Sequence, residues 1–480
     1  MKSTLPSGAT PYNVQLSTEH SPGYTHVEGL TRESADTASD LLMLNHAKYH
    51  TYFHKQVGLH NHIVHQLCTL WALGASPAEM QTAYDLNKTF QLPHFHHNAE
   101  TLVKMRDPAF FRECLGKSEF YNDYLHFFQD EIAERGAEEV LKEYVFKGDE
   151  RADDMLGRMH SGFLHPIIHL GFSLEFNQPC LVAESLAGAC VHDNWPLPIL
   201  LSIEQHLSSH PDTPRKSMLS ILQTLQTDPI FAAAAKTGAV LNRVTDALIP
   251  HAGPQLSSLL AQWRVEPTQE DIAYKTAEMA NLCAYTLAAA QHPAKEPAMD
   301  FFMMHSVNLG VFYPVFMRLH WLTLEQKARL LNWKGWMDLV IYAACACPTL
   351  YLDRVTDYKP KAPGGWDNVV SRAIRYPDDG HTAKLIRALI GARNLSASHT
   401  ANPELPLAQK DFLQIAHMTM DSVERMQDPG YKVPEKLSKF YGEALGYEDE
   451  VVRVVARWVR WPGIEGAWDD FPDLEARARL

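Results

Sequence analysis

No G-x-G-x-x-G occurs anywhere in the 480 residues of this chain. Without that turn a strand–turn–helix unit cannot hold a dinucleotide pyrophosphate, which argues against a tightly bound flavin or a Rossmann dehydrogenase. C-x-x-C is missing too. The seven cysteines (Cys68, Cys114, Cys180, Cys190, Cys283, Cys345 and Cys347) are odd in number and scattered. Such a set builds neither a disulfide framework nor a structural zinc site, so reduced, buried thiols are expected. Runs of basic residues are also absent: 43 Lys and Arg stand against 57 Asp and Glu, for a net charge of −14. Nucleic acid and anionic membrane surfaces both require a concentrated positive patch, so neither is an expected partner. Apolar stretches such as Leu339 to Cys347 stop well short of the roughly 18 residues a membrane-spanning helix needs. Met1 to Gln15 is polar and carries no apolar core of a signal peptide, so a cytoplasmic protein is expected.

Period-two alternation is scarce, whereas i, i+3, i+4 spacing of apolar residues recurs in long windows. The fold expected is all-α: an extended N-terminal arm over 1–35, rich in Ser, Thr, Pro and Gly, then one large multi-helix domain over 36–480. With 46% hydrophobic residues the core can be large. The first helix is expected near Ser39-Asp40, with His46, His50 and His54 on its exposed side. A histidine helix over 58–73 follows, stopped at Gly74, and a second histidine segment spans 151–176. A late helix is expected at 434–443.

The 25 histidines are the best clue to chemistry, because neutral imidazole is the commonest protein ligand of a transition metal. In the 58–73 helix, at about 100° per residue, His62, His65, Gln66 and Thr69 share a stripe opposite Leu59, Ile63, Val64, Leu67, Cys68, Leu70 and Trp71. No charged residue falls between Gln56 and Glu79, which suits a buried polar cavity better than a solvated face. In the second segment, Pro166 disfavours helical geometry at His165 and fits the first helical position. His165 is therefore expected at a helix start or kink, with His169 one turn on. H-x-x-x-H is a two-ligand spacing, but the zincin form needs Glu where Pro166 stands, which excludes a metalloprotease. His305 lies in an all-apolar stretch with Asn308 three residues later; by itself it reads as a core histidine bonded to a carbonyl. His381 and Lys384 open an amphipathic helix behind Asp378-Asp379-Gly380 and share a face. Lys384 reads as an ordinary surface lysine, or, if buried and neutral, as an amine able to add carbon dioxide and offer a carbamate oxygen.

The blocks HNHIVHQL at 60–67, ALGAS at 72–76 and FLHPIIHLGFSLEF at 163–176, with the segments around His305 and His381–Lys384, resemble the questin oxidase-like family over about residues 40–450. The resemblance implies a mostly helical, non-flavin oxygenase of fungal polyketide pathways that opens the central ring of an anthraquinone with O2, in Baeyer–Villiger fashion or by C–C cleavage. It implies histidines carried on several helices; since iron held by imidazoles with open positions activates O2, Fe(II) is the expected cofactor, with His65, His165, His305 and His381 as ligands and Lys384, carbamylated or unmodified, as fifth. His62 and His169 are then the catalytic or orienting partners, each able to exchange roles with its neighbour, and Asn308 orients an imidazole. NADPH is the expected reductant of the quinone, directly or through a partner reductase, although no motif for it is visible. Trp71, Phe163, Phe312, Tyr313 and Trp321 are candidates to line an aromatic pocket. Two other classes stay open. His192-Asp193 after the His165 block fits an HD-type metal-dependent phosphohydrolase, and a non-catalytic helical scaffold would need no metal at all. Asp469-Asp470-Phe471-Pro472-Asp473 imitates a terpene-synthase motif, but it sits at the C-terminus across a proline and is read as chance.

Overall fold

The computed structural model describes residues 8–54, 59–95, 98–238, 240, 242–427, 433, 435, 439, 442 and 457–474. Among them the chain is helical almost throughout, as expected, and its only sheet pairs Tyr52–His54 antiparallel with Leu59–His60. The chain divides into two discontinuous units. Unit 1 comprises Met1–Pro198, Phe312–Lys327 and Pro377–Arg387; unit 2 comprises Ile199–Val311, Ala328–Tyr376 and Ala388–Leu480. All seven cysteines are free and buried. No described helix is long and apolar enough to cross a membrane.

In unit 1 the first helix, Arg32–Lys48, begins earlier than Ser39-Asp40. The Thr31 side chain accepts from Ser34 N and Glu33 lies in the first turn, so the helix starts wherever its exposed N–H groups find an acceptor. His50 is buried rather than exposed, because its Nδ1 accepts from Tyr52 N and its Nε2 faces Ser118 O. The side chain of His54 lies outside the described residues. Positions 58–73 are not one helix either. His60 belongs to the short strand, Asn61 turns the chain, and the helix is Ile63–Ala72. Asn61 fixes that turn by accepting from Ile63 N and donating to Asn45 Oδ1. Every residue of Ile63–Ala72 is buried, and Gly74, at φ 79°, ends the segment as its sequence suggests.

Residues 8–31 are extended and tied down. Leu16 N donates to Ser39 Oγ, Tyr24 N to Glu175 Oε1, and Trp71 Nε1 to Ser21 O. Arg387 pairs with Glu175 and donates to Thr25 O. Both members of this ion pair are buried, where a charge persists only if paired.

In unit 2 the helices Gln269–Ala289 and Phe301–Gly310 pack together. Asp300 caps the second by accepting from Phe302 N and Met303 N, and also takes Trp461 N. The helix expected at 434–443 lies outside the described residues apart from isolated positions.

Candidate metal centre

Three elements of unit 1 bring imidazoles to one point. His62 stands at the start of the Ile63–Ala72 helix, His165 inside Ser161–Glu175 and His381 at the start of His381–Ser396. One nitrogen from each lies within 4.8 Å of the others, and all three residues are buried.

Each is placed by a local backbone device. Gly162, Phe163 and Leu164 form a left-handed turn, with φ values of 54°, 50° and 73°. Non-glycine residues in that region are costly. Regular helix resumes only at His165-Pro166, which is the kink that the proline signals. The turn aims Gly162 O at His165 Nδ1, 2.5 Å away. Gly162 itself is required: a Cβ there would come within 2.6 Å of His192 and 2.7 Å of His60. Asp378 caps the third element by accepting from Gly380 N and Thr382 N. Its carbonyl takes Gln66 Nε2 and Asn87 Nδ2, which fastens the His381 helix to the His62 helix. Gly380, at φ 88°, lies so close to Gln66 that a Cβ would stand 2.6 Å from that side chain.

The nitrogen atoms decide what this cluster can do. His62 Nε2 and His165 Nε2 are 2.8 Å apart. A carbonyl oxygen only accepts, so His165 Nδ1 carries a hydrogen toward Gly162 O, and a neutral ring then keeps its lone pair on Nε2. Asp379 lies between His62 Nδ1, at 3.4 Å, and His381 Nδ1, at 2.8 Å. Burial holds His62 below its ordinary pKa and His381 well below, so both are neutral despite Asp379. A neutral His62 has one hydrogen and two demands on it. On Nδ1 it answers Asp379 but leaves two lone pairs facing at 2.8 Å; on Nε2 it answers His165 but turns a lone pair on the carboxylate. A cation at the shared point removes the conflict. Two imidazole nitrogens held at about 2.1 Å and at right angles to one ion stand roughly 3.0 Å apart. The residues fit a metal.

His65 and Lys384 flank the trio. His65 Nδ1 is 3.4 Å from Lys384 Nζ, and its buried Nε2 has no hydrogen-bond partner among the described residues. Lys384 is not a surface residue: it is buried, and desolvation lowers its pKa to about 8 against the pull of Asp379 and Asp378. His169 lies beyond, with its ring 5.3 Å from that of His65 and its Nε2 3.1 Å from Glu184. His305 belongs to unit 2, where its Nδ1 donates to Phe301 O. Asn308 does not orient it; both amide atoms of Asn308 are buried and make no hydrogen bond among the described residues. Of the five expected ligands, then, the structure gathers His165 and His381 with His62, sets His65 and Lys384 beside them, and carries His305 on the other unit.

Four further residues complete the surroundings. Asp379 had been visible only as an acidic helix start. Glu184 had no signal, because nothing in its local sequence marks it as buried. His60 stacks on His165 with centroids 4.0 Å apart, and its Nε2 meets His192 Nε2 at 2.8 Å; the HNHIVH spacing and the His192-Asp193 pair were the traces of these two. The aromatic candidates divide. Phe312 packs on Phe172, which stacks on His65, whereas Trp71 is held by Ser21 O and Trp321 packs on Phe146. Phe163 meets Trp195, and Tyr313 meets Phe316.

Residues 59–389 match the model of the family described as questin oxidase-like. The chain belongs to the questin oxidase-like family. It is 50% identical over 472 residues to "Oxidoreductase AflY" of Aspergillus parasiticus, covering 98% of this chain and 95% of that protein. It is 34% identical to "Baeyer-Villiger oxidase ptaJ" of Pestalotiopsis fici, covering 88% and 95%. To "Questin oxidase" of Aspergillus fumigatus it is 34% identical, covering 81% and 88%. The matched span contains His62, His65, His165, His169, His305, His381 and Lys384.

Proposed function

We propose that this family member, an oxidoreductase like its relatives, oxidatively cleaves the central quinone ring of an anthraquinone-type aromatic polyketide, with O2 as co-substrate and non-haem iron as cofactor. The observation that carries the reading is the convergence of His62, His165 and His381 beside Asp379 in a chain without a dinucleotide fingerprint. When bound, Fe(II) would supply one-electron chemistry with O2, for which imidazole and carboxylate donors with open positions are suited. His62, His165 and His381 would hold it, with His65 and Lys384 in reserve at its side. Burial lowers Lys384 to about 8, so a fraction of the amine is neutral near pH 7 and can add carbon dioxide; the resulting carbamate would offer an oxygen donor in place of a repelling ammonium. His165 is oriented by Gly162 O, and His62 and His381 by Asp379, so none has to search for its position when the ion arrives. His169, oriented through Nε2 by Glu184, is the group proposed to hold a substrate proton. Phe172 and Phe312 give the neighbourhood an apolar side suited to a planar ring system. NADPH, directly or through a partner reductase, would reduce the quinone beforehand.

The reading is tested by measuring bound iron and O2-dependent turnover of an anthraquinone or its hydroquinone. One equivalent of iron in the native protein, lost with turnover in His165→Ala and His381→Ala and reduced in Lys384→Ala, is the expected result. Full iron and turnover in the histidine variants would reject it. Phosphatase activity with Mn(II) and no oxidation would favour the phosphohydrolase.

A further inference from the structure

A second cluster of donors lies in unit 1 on side chains the reading above does not need as ligands. Cys180 and Glu184 are one turn apart in the Pro179–Val191 helix, so both project from the same face. His46, from the last turn of Arg32–Lys48, meets them. One donor atom from each of the three lies within 4.8 Å of the others. Glu184 Oε1 is 2.6 Å from His46 Nδ1, and Cys180 Sγ is 3.5 Å from Nδ1 and 3.6 Å from Nε2 of the same ring.

Charge makes the cluster unusual. Glu184 is buried, and among the described residues its ion-pair partners are two imidazoles, His46 and His169, with no Lys or Arg. Its two oxygens stand 2.6 Å from His46 Nδ1 and 3.1 Å from His169 Nε2. A buried carboxylate requires a positive partner. Either an imidazole keeps an extra proton or a metal ion supplies the charge.

The sulfur favours the ion. With sulfur at about 2.3 Å and nitrogen at about 2.0 Å from a tetrahedral ion, the two atoms stand roughly 3.5 Å apart, which matches the sulfur–nitrogen spacing. Glu184 Oε1, now 2.6 Å from His46 Nδ1, would open to roughly 3.3 Å as the ion replaces their hydrogen bond. We propose that His46, Cys180 and Glu184 form a second metal site for a zinc-class divalent cation, distinct from the trio of His62, His165 and His381. Binding releases the Cys180 thiol proton to solvent and forms a metal–sulfur bond; nothing is oxidised. Two positive charges then meet one from the thiolate and one from Glu184, and the buried cluster becomes neutral. The imidazole hydrogen of His46 moves to Nε2, where Gln129, now 3.1 Å away through Nε2, turns its amide oxygen to accept it. The His46 side chain keeps 11% exposure, which gives a water access as fourth ligand. Glu184 Oε2 remains with His169.

The test is titration of the full-length, chelator-treated protein with Co(II) alone. Uptake of two equivalents is expected, one of which brings a thiolate-to-cobalt charge-transfer band in the near ultraviolet. Cys180→Ser should lose the band and one equivalent. His165→Ala should lose the other equivalent and keep the band, so failure at either site is read separately. Should Cys180→Ser fold poorly, Glu184→Gln provides a second route: Co(II) affinity at the banded site should fall about tenfold or more. Saturation without the band, survival of the band in Cys180→Ser, or unchanged affinity in Glu184→Gln would overturn the proposal.

Discussion

Asp379 shows how one carboxylate can set the behaviour of several neighbours. Its oxygens reach His62 and His381, and its charge opposes the desolvation of Lys384. Asp379→Asn keeps the shape and removes the charge. Metal affinity measured by titration should drop about 10- to 100-fold, as is usual when the group orienting a ligand is lost. Asp378→Asn is the contrasting change: Asp378 caps backbone N–H groups, so a loss of about 1 kcal/mol in stability is expected with far less effect on affinity. If both variants bind metal like the native protein, Asp379 has no orienting role. At this scale the sequence was half legible. His165 and His381 could be singled out because proline and an acidic flank mark their backbone positions. That His62 rather than His65 clusters with them could not, since the turn at Asn61 sets its place, and Glu184 could not, since only burial against His46 and His169 gives it meaning.

Among the elements, the left-handed turn at Gly162–Leu164 matters most. It stores strain to aim a carbonyl at His165 and brings the chain within reach of His60 and His192. Gly162→Ala adds a Cβ where neither the backbone angle nor the space allows one. A loss of about 2 kcal/mol or more is expected, from the left-handed penalty of about 1–2 kcal/mol plus displaced histidines. Thermal melting of the variant against native protein checks it; an unchanged melting temperature would mean the turn relaxes freely. Helix type was legible because apolar periodicity survives over long windows. The strand Leu59–His60 was not, because two residues carry no period, and its pairing with Tyr52–His54 is a tertiary event.

For the molecule as a whole, buried neutral imidazoles tie stability to pH. Burial, with the Arg158 charge second, lowers His192 from 6.5 to about 3. His62 is also lowered by burial, and His65 and His381 well below 6.5. Each accepts a proton more readily once unfolded. The unfolded chain therefore binds more protons below about pH 6.5, and stability falls as the pH drops from there toward the folded values, by up to about 1.4 kcal/mol per unit for each imidazole. Asp300 acts in the opposite sense: burial raises it from 3.8 to about 6, so its contribution is present in acid and fades as the pH rises through that interval. Burial also raises Asp338 and Asp193 and lowers His94, so five imidazoles stand against three carboxyls and outweigh them. The urea midpoint of the metal-free protein should thus decline steadily from pH 7 to pH 5, and a flat profile would show that the rings are protonated in the native state. The all-helical character could be read at this scale from composition and periodicity, but the division into two discontinuous units could not, since it depends on which distant segments meet. That division has a consequence for biosynthesis. His65 and Lys384 touch although 319 positions separate them, so a ribosome delivers most of the imidazoles long before the segment that completes the cradle. On the proposed function, iron would be captured only after the polypeptide has closed this long circuit, which would make loading one of the last events in maturation.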